Sequence, residues 1–322
     1  MTVTEQLSML GHILAQGDIT TLFQPIVSLS ERRILGYEAL SRGPSNSPLR
    51  SPINLLATAR QAGRLNELEM ACRRSACRRY SQGALRGKLF LNASPETLLE
   101  AAHKPGRTLE LLNAYGIPAE QVVIELTEQT PTDDFELLDK ALHHYRAMGF
   151  GIALDDLGAG YSSLRMWSEL RPDYVKIDRY FIDGIHQDAV KREFVESILK
   201  IARASRAQVI AEGIELAEEL TVLSEMGVDL VQGYLLGRPQ ELPALDIDEV
   251  LPSAEAQQNG LNEETGDLSA LLVCQPAMSA ERPVAILSDN DPRFSLADRA
   301  VFERLTFDDL KASIGDRLEK GA

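Results

Sequence analysis

The chain has 322 residues, 44% of them apolar, and a formal net charge of −15, so it is long enough for one large barrel with an appendage or for two domains. The acidity argues against a general binder of nucleic-acid polymers, which would carry a basic stripe, and no apolar run approaches the about 18 residues that span a membrane. Cys72, Cys77 and Cys274 are odd in number and lack CxxC spacing, so neither a disulfide framework nor a zinc site is expected.

The N-terminus TVTEQLSML lacks the basic start and apolar core of a signal peptide, which leads us to expect a cytoplasmic protein. An amphipathic helix is expected over 4–16, then a strand over 20–29 and a second over 34–42, joined only by SERR. A connection that short permits a hairpin and excludes a parallel crossover, so the first two strands should be antiparallel. Helices follow at about 52–62 and 64–81. Strands and helices then alternate: strand 88–94, helices 95–101 and 106–115, strand 121–126, helix 133–148, strand 151–156, helix 163–169, strand 174–178, helix 187–205, strand 208–213, helix 216–226 and strand 229–233. This many βαβ units favour closure into a barrel. The expected fold is thus a modified (β/α)8, TIM-like barrel with an antiparallel first strand, over residues 1–243.

Residues 244–267 read as an acidic linker, and 268–322 as a small α/β accessory segment, with order resuming at 268–275 and 283–289 and in two helices near 295–304 and 307–319. Charge is divided unevenly: 241–322 hold 17 acidic against 7 basic residues, while the first 240 hold 31 against 26. An anionic ligand is easier to admit to that first part.

Seven short apolar runs each end on a polar residue: Glu38, Asn92, Glu125, Asp155, Lys176, Glu212 and Gln232. A parallel β/α array brings the C-terminal ends of its strands to one face, so these residues should share one mouth. Such a concentration of carboxylates calls for cations. DDLGAGYSSL (155–164) adds a second aspartate, Asp156, where the chain leaves a strand into a Gly-rich loop, a place where one carboxylate can bridge two metals. Lys176, in an apolar strand, requires an anionic partner. Donors that are all carboxylate and amide oxygens, without His or Cys, select hard cations such as Mg²⁺ or Mn²⁺, and the chemistry indicated is metal-dependent phosphoester hydrolysis. The five histidines read as solvated or structural, and Trp167 as core.

YEALSR, LFLNAS, ELTE, DDLGAGYSSL, YVKID, VIAEGIE and QGYLLGRP, in this order over residues 20–240, resemble the motif set of the EAL-domain cyclic di-GMP phosphodiesterases. The resemblance implies hydrolysis of cyclic di-GMP to linear pGpG with two Mg²⁺ or Mn²⁺ ions per site, Ca²⁺ being inhibitory. By motif position, Glu38, Asn92, Glu125 and Asp155 would hold one metal, with Asp155 bridging and Asp156 holding the second. Glu212 would position or deprotonate the attacking water, and Lys176 would stabilise it. Gln24, Leu40, Arg42, Asp178, Gln232 and Tyr234 would contact the dinucleotide or its metal–water network. Glu128 would anchor the catalytic loop, with Glu215 in support, and a homodimer would form through the region after Asp156. Leu157 and Leu236 depart from the more common aromatic residues at their positions. The stretch PVAILSDNDPRFSLADRAVFERL faintly resembles the closing strand and helix of GAF-type sensor domains. The alternatives from other classes are a cyclic di-GMP receptor without turnover and a protein-interaction module built on the barrel.

Overall fold

The computed structural model describes residues 2–99, 106–127, 135–158 and 163–251. The expected elements of 268–322, the linker beyond Leu251, the loop residues 159–162 and Glu128 lie outside these. Helix α1 (Val3–Gln16), closed at its start by a Thr2–Glu5 capping box, leads into β1 (Thr20–Ser28) and β2 (Arg33–Arg42). Next come α2 (Pro52–Gln61), α3 (Leu65–Gln82), β3 (Lys88–Ala93), α4 (Pro95–Leu99), α5 (Gly106–Tyr115), β4 (Val122–Leu126), α6 (Phe135–Ala147), β5 (Gly151–Leu157) and α7 (Ser163–Leu170). The chain then forms β6 (Tyr174–Ile177), α8 (Arg179–Ile182), α9 (Ala189–Ser205), β7 (Gln208–Ala211), α10 (Ala217–Glu225), β8 (Leu230–Val231) and α11 (Ile247–Val250).

The eight strands close a barrel in chain order. β1 runs antiparallel to β2, with Gln24 opposite Glu38, and antiparallel to β8, while every other neighbouring pair is parallel. The short hairpin sets this reversal, as its loop length required.

One buried residue from each strand fills the barrel interior: Ile26, Leu35, Phe90, Val123, Ala153, Tyr174, Ile210 and Leu230. Phe90 and Tyr174 meet edge to face across it at 5.4 Å. Side chains alternate faces along a strand. Two residues beyond Phe90, Val123, Ala153, Tyr174, Ile210 and Leu230, the same inward face therefore carries Asn92, Glu125, Asp155, Lys176, Glu212 and Gln232. On the reversed β1 the step runs the other way, from Ile26 to Gln24. An apolar plug thus forms the floor of a polar mouth, and the burial of the plug fixes the register that aims the mouth.

Outside the strands, a second core joins barrel and helices, with Trp167 and Tyr145 fully buried in it. Some short elements fall outside the sequence expectation, among them a 3₁₀ turn at Ala119–Gln121. Another 3₁₀ turn covers Pro48–Arg50, and Asp178, expected to end a strand, instead caps α8 by accepting from the Tyr180 amide at 2.9 Å. After β8 the chain runs back along β1, pairing Gln240 with Phe23, and continues to pack as far as the buried Val250 and Leu251, past the expected barrel limit at residue 243.

Candidate active site

The Lys176 ammonium stands at the centre of the mouth and is 1% exposed. Four carboxylates from four different strand exits surround its Nζ: Glu212 Oε1 at 2.7 Å, Glu125 Oε1 and Asp155 Oδ1 at 3.0 Å, and Glu38 Oε2 at 3.2 Å. Glu38 also accepts from Gln232 Nε2 at 2.8 Å and from Asn92 Nδ2 at 3.3 Å. Gln232 donates further to Gln24 Oε1 at 3.2 Å, and Gln24 donates to the Gly237 carbonyl at 3.1 Å.

Charge is not balanced within this ring. Burial pushes Glu125 and Glu212 well above the usual carboxylate range despite the opposing pull of Lys176. Asp155 rises for the same reason, with the Glu38 charge adding to it. Glu38 alone moves down: burial is its largest single influence, but Lys176 and the donors Gln232 and Asn92 together outweigh it. Lys176 is raised well above its ordinary value because the four carboxylates overcome its desolvation.

Strict alternation would turn Asp156 away from Asp155. Instead β5 is irregular between Leu154 and Leu157, and Asp156 adopts a left-handed φ of 55°. A non-glycine residue in that region is strained and marks a place held by its surroundings. The kink lets Asp155, Asp156 and Glu212 each offer an oxygen within 4.8 Å of the others. Burial, followed by the neighbouring Asp155 charge, pushes the Asp156 carboxyl up to about 6.

The residues fit hard divalent cations on two observations. The buried Glu125 Oε1, Glu125 Oε2 and Asp155 Oδ1 accept no hydrogen bond, the two oxygens near Lys176 being close to it without hydrogen-bond geometry. The donors facing the mouth are oxygens throughout, which suits Mg²⁺ or Mn²⁺ better than zinc.

The structure therefore brings together Gln24, Glu38, Asn92, Glu125, Asp155, Asp156, Lys176, Glu212 and Gln232. Arg42 lies half-buried at the end of β2, donating to the Ser41 carbonyl, and burial lowers its guanidinium from its ordinary value against the opposing pull of Glu38. Leu40 is half-buried on β2 opposite Leu22. The Tyr234 ring is exposed and lies under the Arg238 guanidinium at 4.2 Å. Asp178 caps α8 and its charge reaches Asp156, while Glu215 makes a surface ion pair with Arg179 at 2.8 Å. Glu69, which the sequence reading passed over, supports the exit of β3. Its buried carboxylate accepts from the Ser94 amide at 3.0 Å and the Ser94 hydroxyl at 2.6 Å, two residues after Asn92, and pairs with Arg73 at 3.1 Å. The Glu–Arg spacing of four on a helix was the available signal.

Probable cyclic di-GMP phosphodiesterase PdeI of Escherichia coli (strain K12) is 33% identical over 242 residues, which are 73% of this chain and 31% of that protein. Cyclic di-GMP phosphodiesterase PdeF of the same organism is 30% identical over 238 residues, 72% of this chain and 31% of its own. The chain spans about a third of the length of these curated relatives. A standalone versatile EAL protein from Vibrio cholerae O395, solved in a c-di-GMP bound form, superposes with a TM-score of 0.63 at 31% identity, covering 69% of this chain and 92% of that one. A calcium/cy-diGMP complex of Klebsiella pneumoniae BlrP1 gives a TM-score of 0.64 at 30% identity over 69% of this chain and 56% of that one. The model of the family described as EAL domain matches residues 6–239, from within α1 to the exit of β8, and the chain belongs to that family.

Proposed function

We propose that this chain is a cytoplasmic, metal-dependent phosphodiesterase domain that hydrolyses cyclic di-GMP to linear pGpG. The observation that carries the reading is the ring of four carboxylates on one buried lysine, with oxygens of Glu125 and Asp155 left without a hydrogen-bond donor. The names of the relatives, and the cyclic di-GMP held by related structures, support the choice of substrate.

In this reading Glu38, Asn92, Glu125 and Asp155 would hold one Mg²⁺ or Mn²⁺, and Asp156, with Asp155, would hold a second. Bound there, the two ions supply Lewis-acid stabilisation of phosphate charge and a more acidic water. Glu212 accepts the proton of the attacking water on the oxygen that Lys176 does not hold. The water oxygen bonds to phosphorus as its proton passes to Glu212, the P–O3′ bond breaks, and O3′ takes a proton from solvent to leave as the 3′-hydroxyl. Lys176 holds Glu212 and offsets the charge that develops beside it. Arg42, Gln24 and Tyr234, with Leu40 and Asp178, border the substrate, while Glu128 and Glu215 anchor the adjoining loops.

Incubation with cyclic di-GMP and Mg²⁺, followed by chromatographic separation of pGpG, tests the proposal. Binding of cyclic di-GMP without product would instead establish a receptor. Ca²⁺, larger and less demanding in geometry, should support binding without turnover, in keeping with the calcium/cy-diGMP complex of the Klebsiella relative. The reading includes a homodimer through the surface beyond Asp156. Tyr180 and Phe194 are exposed there, around a Phe181 ring that packs on Gly158. A monomer by light scattering at micromolar concentration would remove the dimer and leave the chemistry standing.

A further inference from the structure

Glu219 is a fully buried carboxylate outside the ring around Lys176, and among the described residues it makes no ion pair. Its oxygens are taken up by three backbone amides. Oε1 accepts from Gly184 at 2.8 Å, and Oε2 accepts from Glu215 at 3.0 Å and from Leu216 at 3.1 Å. Part of this is ordinary helix chemistry. The N-cap of α10 is Leu216, whose side chain has no acceptor, so the glutamate three residues on satisfies the amides at that end. The Gly184 amide is not part of any cap of α10. It belongs to the turn between α8 and α9, the segment that continues from β6 and Lys176.

Glu219 therefore clips the exit of β6 to the exit of β7. Glu212 lies three residues before the clip, and between them stands Gly213, with a left-handed φ of 73°. A Cβ there would overlap the Arg179 side chain. That glycine is the natural pivot of the segment. Beyond it the segment is held at Ile214, which donates to the Gln232 carbonyl at 3.2 Å, and at Glu215 and Leu216 by Glu219. Burying a carboxylate with no cation is costly unless charge-assisted hydrogen bonds repay it, and here all of those bonds go to loop backbone.

We propose that Glu219 is a positioning residue: it fixes the Gly213–Leu216 segment against the turn at Gly184 and so holds Glu212 at its 2.7 Å contact with Lys176. The consequence for turnover rests on the phosphodiesterase reading; the consequence for the ring's geometry does not.

Three variants of the full chain test it. Glu219→Leu removes every acceptor, Glu219→Asp keeps the charge but withdraws both oxygens by one methylene, and Glu219→Gln keeps an acceptor at the same reach. Hydrogen exchange at the Gly184, Glu215 and Leu216 amides should quicken in the Leu and Asp variants and least in the Gln variant. In the same order kcat on cyclic di-GMP should fall, by about tenfold or more for Leu, as for other groups that orient a metal ligand or base. KM should stay within about twofold, and Gln, which can accept from only one of the two loops, should give a rate between those of the wild type and the Leu variant. Mn²⁺ alone, followed by water proton relaxation, should bind more weakly to the Leu and Asp variants, because Glu212 shares its oxygen group with Asp155 and Asp156. If the Leu variant does not fold, the Asp variant decides. Wild-type kcat and Mn²⁺ affinity in a folded Leu or Asp variant, whatever its melting temperature, would overturn the role. A wild-type chain that makes no pGpG would sink the phosphodiesterase reading and leave Mn²⁺ affinity to decide this one.

Discussion

At the scale of single residues the mouth is a problem of charge. Lys176 faces four carboxylates, and burial pushes most of them up because one ammonium cannot neutralise them all. Lys176→Met should therefore destabilise the metal-free protein by about 3 kcal/mol or more, the cost of leaving buried charge unpaired; urea unfolding measures it. Excess Mg²⁺ should return part of the loss. Asp155→Asn removes charge at nearly constant shape, and hydrolysis should collapse by orders of magnitude while cyclic di-GMP binding persists through Gln24 and Arg42. Wild-type turnover in that variant would remove Asp155 from its shared role. Metal affinity should also depend on pH. With the Asp156 carboxyl raised to about 6, a proton competes for this ligand below that value. Mn²⁺ affinity should thus climb between about pH 5 and about pH 7, measured by titration calorimetry, and a flat profile would exclude Asp156 as a ligand.

At the scale of elements, the interior layer explains why so much of the site was legible in the chain. A parallel strand buried on both faces reads as an apolar run, so the polar residue that ends it stands out, and period-two alternation aligns Asn92, Glu125, Asp155, Lys176, Glu212 and Gln232 above the apolar plug. The hairpin reversal was legible from loop length. Asp156 follows a different logic: alternation sends it outward, and only a left-handed kink, supported by tertiary packing, returns it to the mouth. Glu69 and Glu219 were overlooked because helix acids normally read as solvated, and nothing local says that backbone amides from distant loops will reach them. The cap by Asp178 was missed because its apolar run read as an unbroken strand. The kink carries its own prediction. Gly158 has φ 102°, and a Cβ there would overlap the Phe181 ring. Gly158→Ala should displace the exit of β5, lowering kcat and Mn²⁺ affinity together, whereas Phe181→Ala in the same background should recover part of both. Loss of thermal stability with unchanged kcat would show that this contact is structural only.

At the scale of the whole chain, the question is where the working domain ends. A limit at residue 243 follows from composition, since an acidic, proline-punctuated stretch begins there. The packing continues further: Tyr37 donates its hydroxyl to the Ala244 carbonyl at 2.8 Å, Arg32 donates to the Leu251 carbonyl at 3.3 Å, and Val250 and Leu251 are buried. Each of those two side chains contributes about 2 kcal/mol by burial, less the cost of ordering the segment that carries them. Their seats lie beside the β1–β2 hairpin, at the end of the barrel away from the mouth, so losing them should lower stability before it touches chemistry. A chain ending at Leu251 should melt within a few degrees of the full chain and keep its kcat. One ending at residue 243 should melt several degrees lower, since about 1 kcal/mol moves the midpoint by about 2–4 °C in a domain this large. Its kcat at a temperature well below the transition should be unchanged. Equal melting of the two truncations would show that residues 244–251 contribute nothing to the barrel. A shorter chain that is fully folded but inactive would place part of the catalytic machinery beyond residue 243, contrary to the site assigned above.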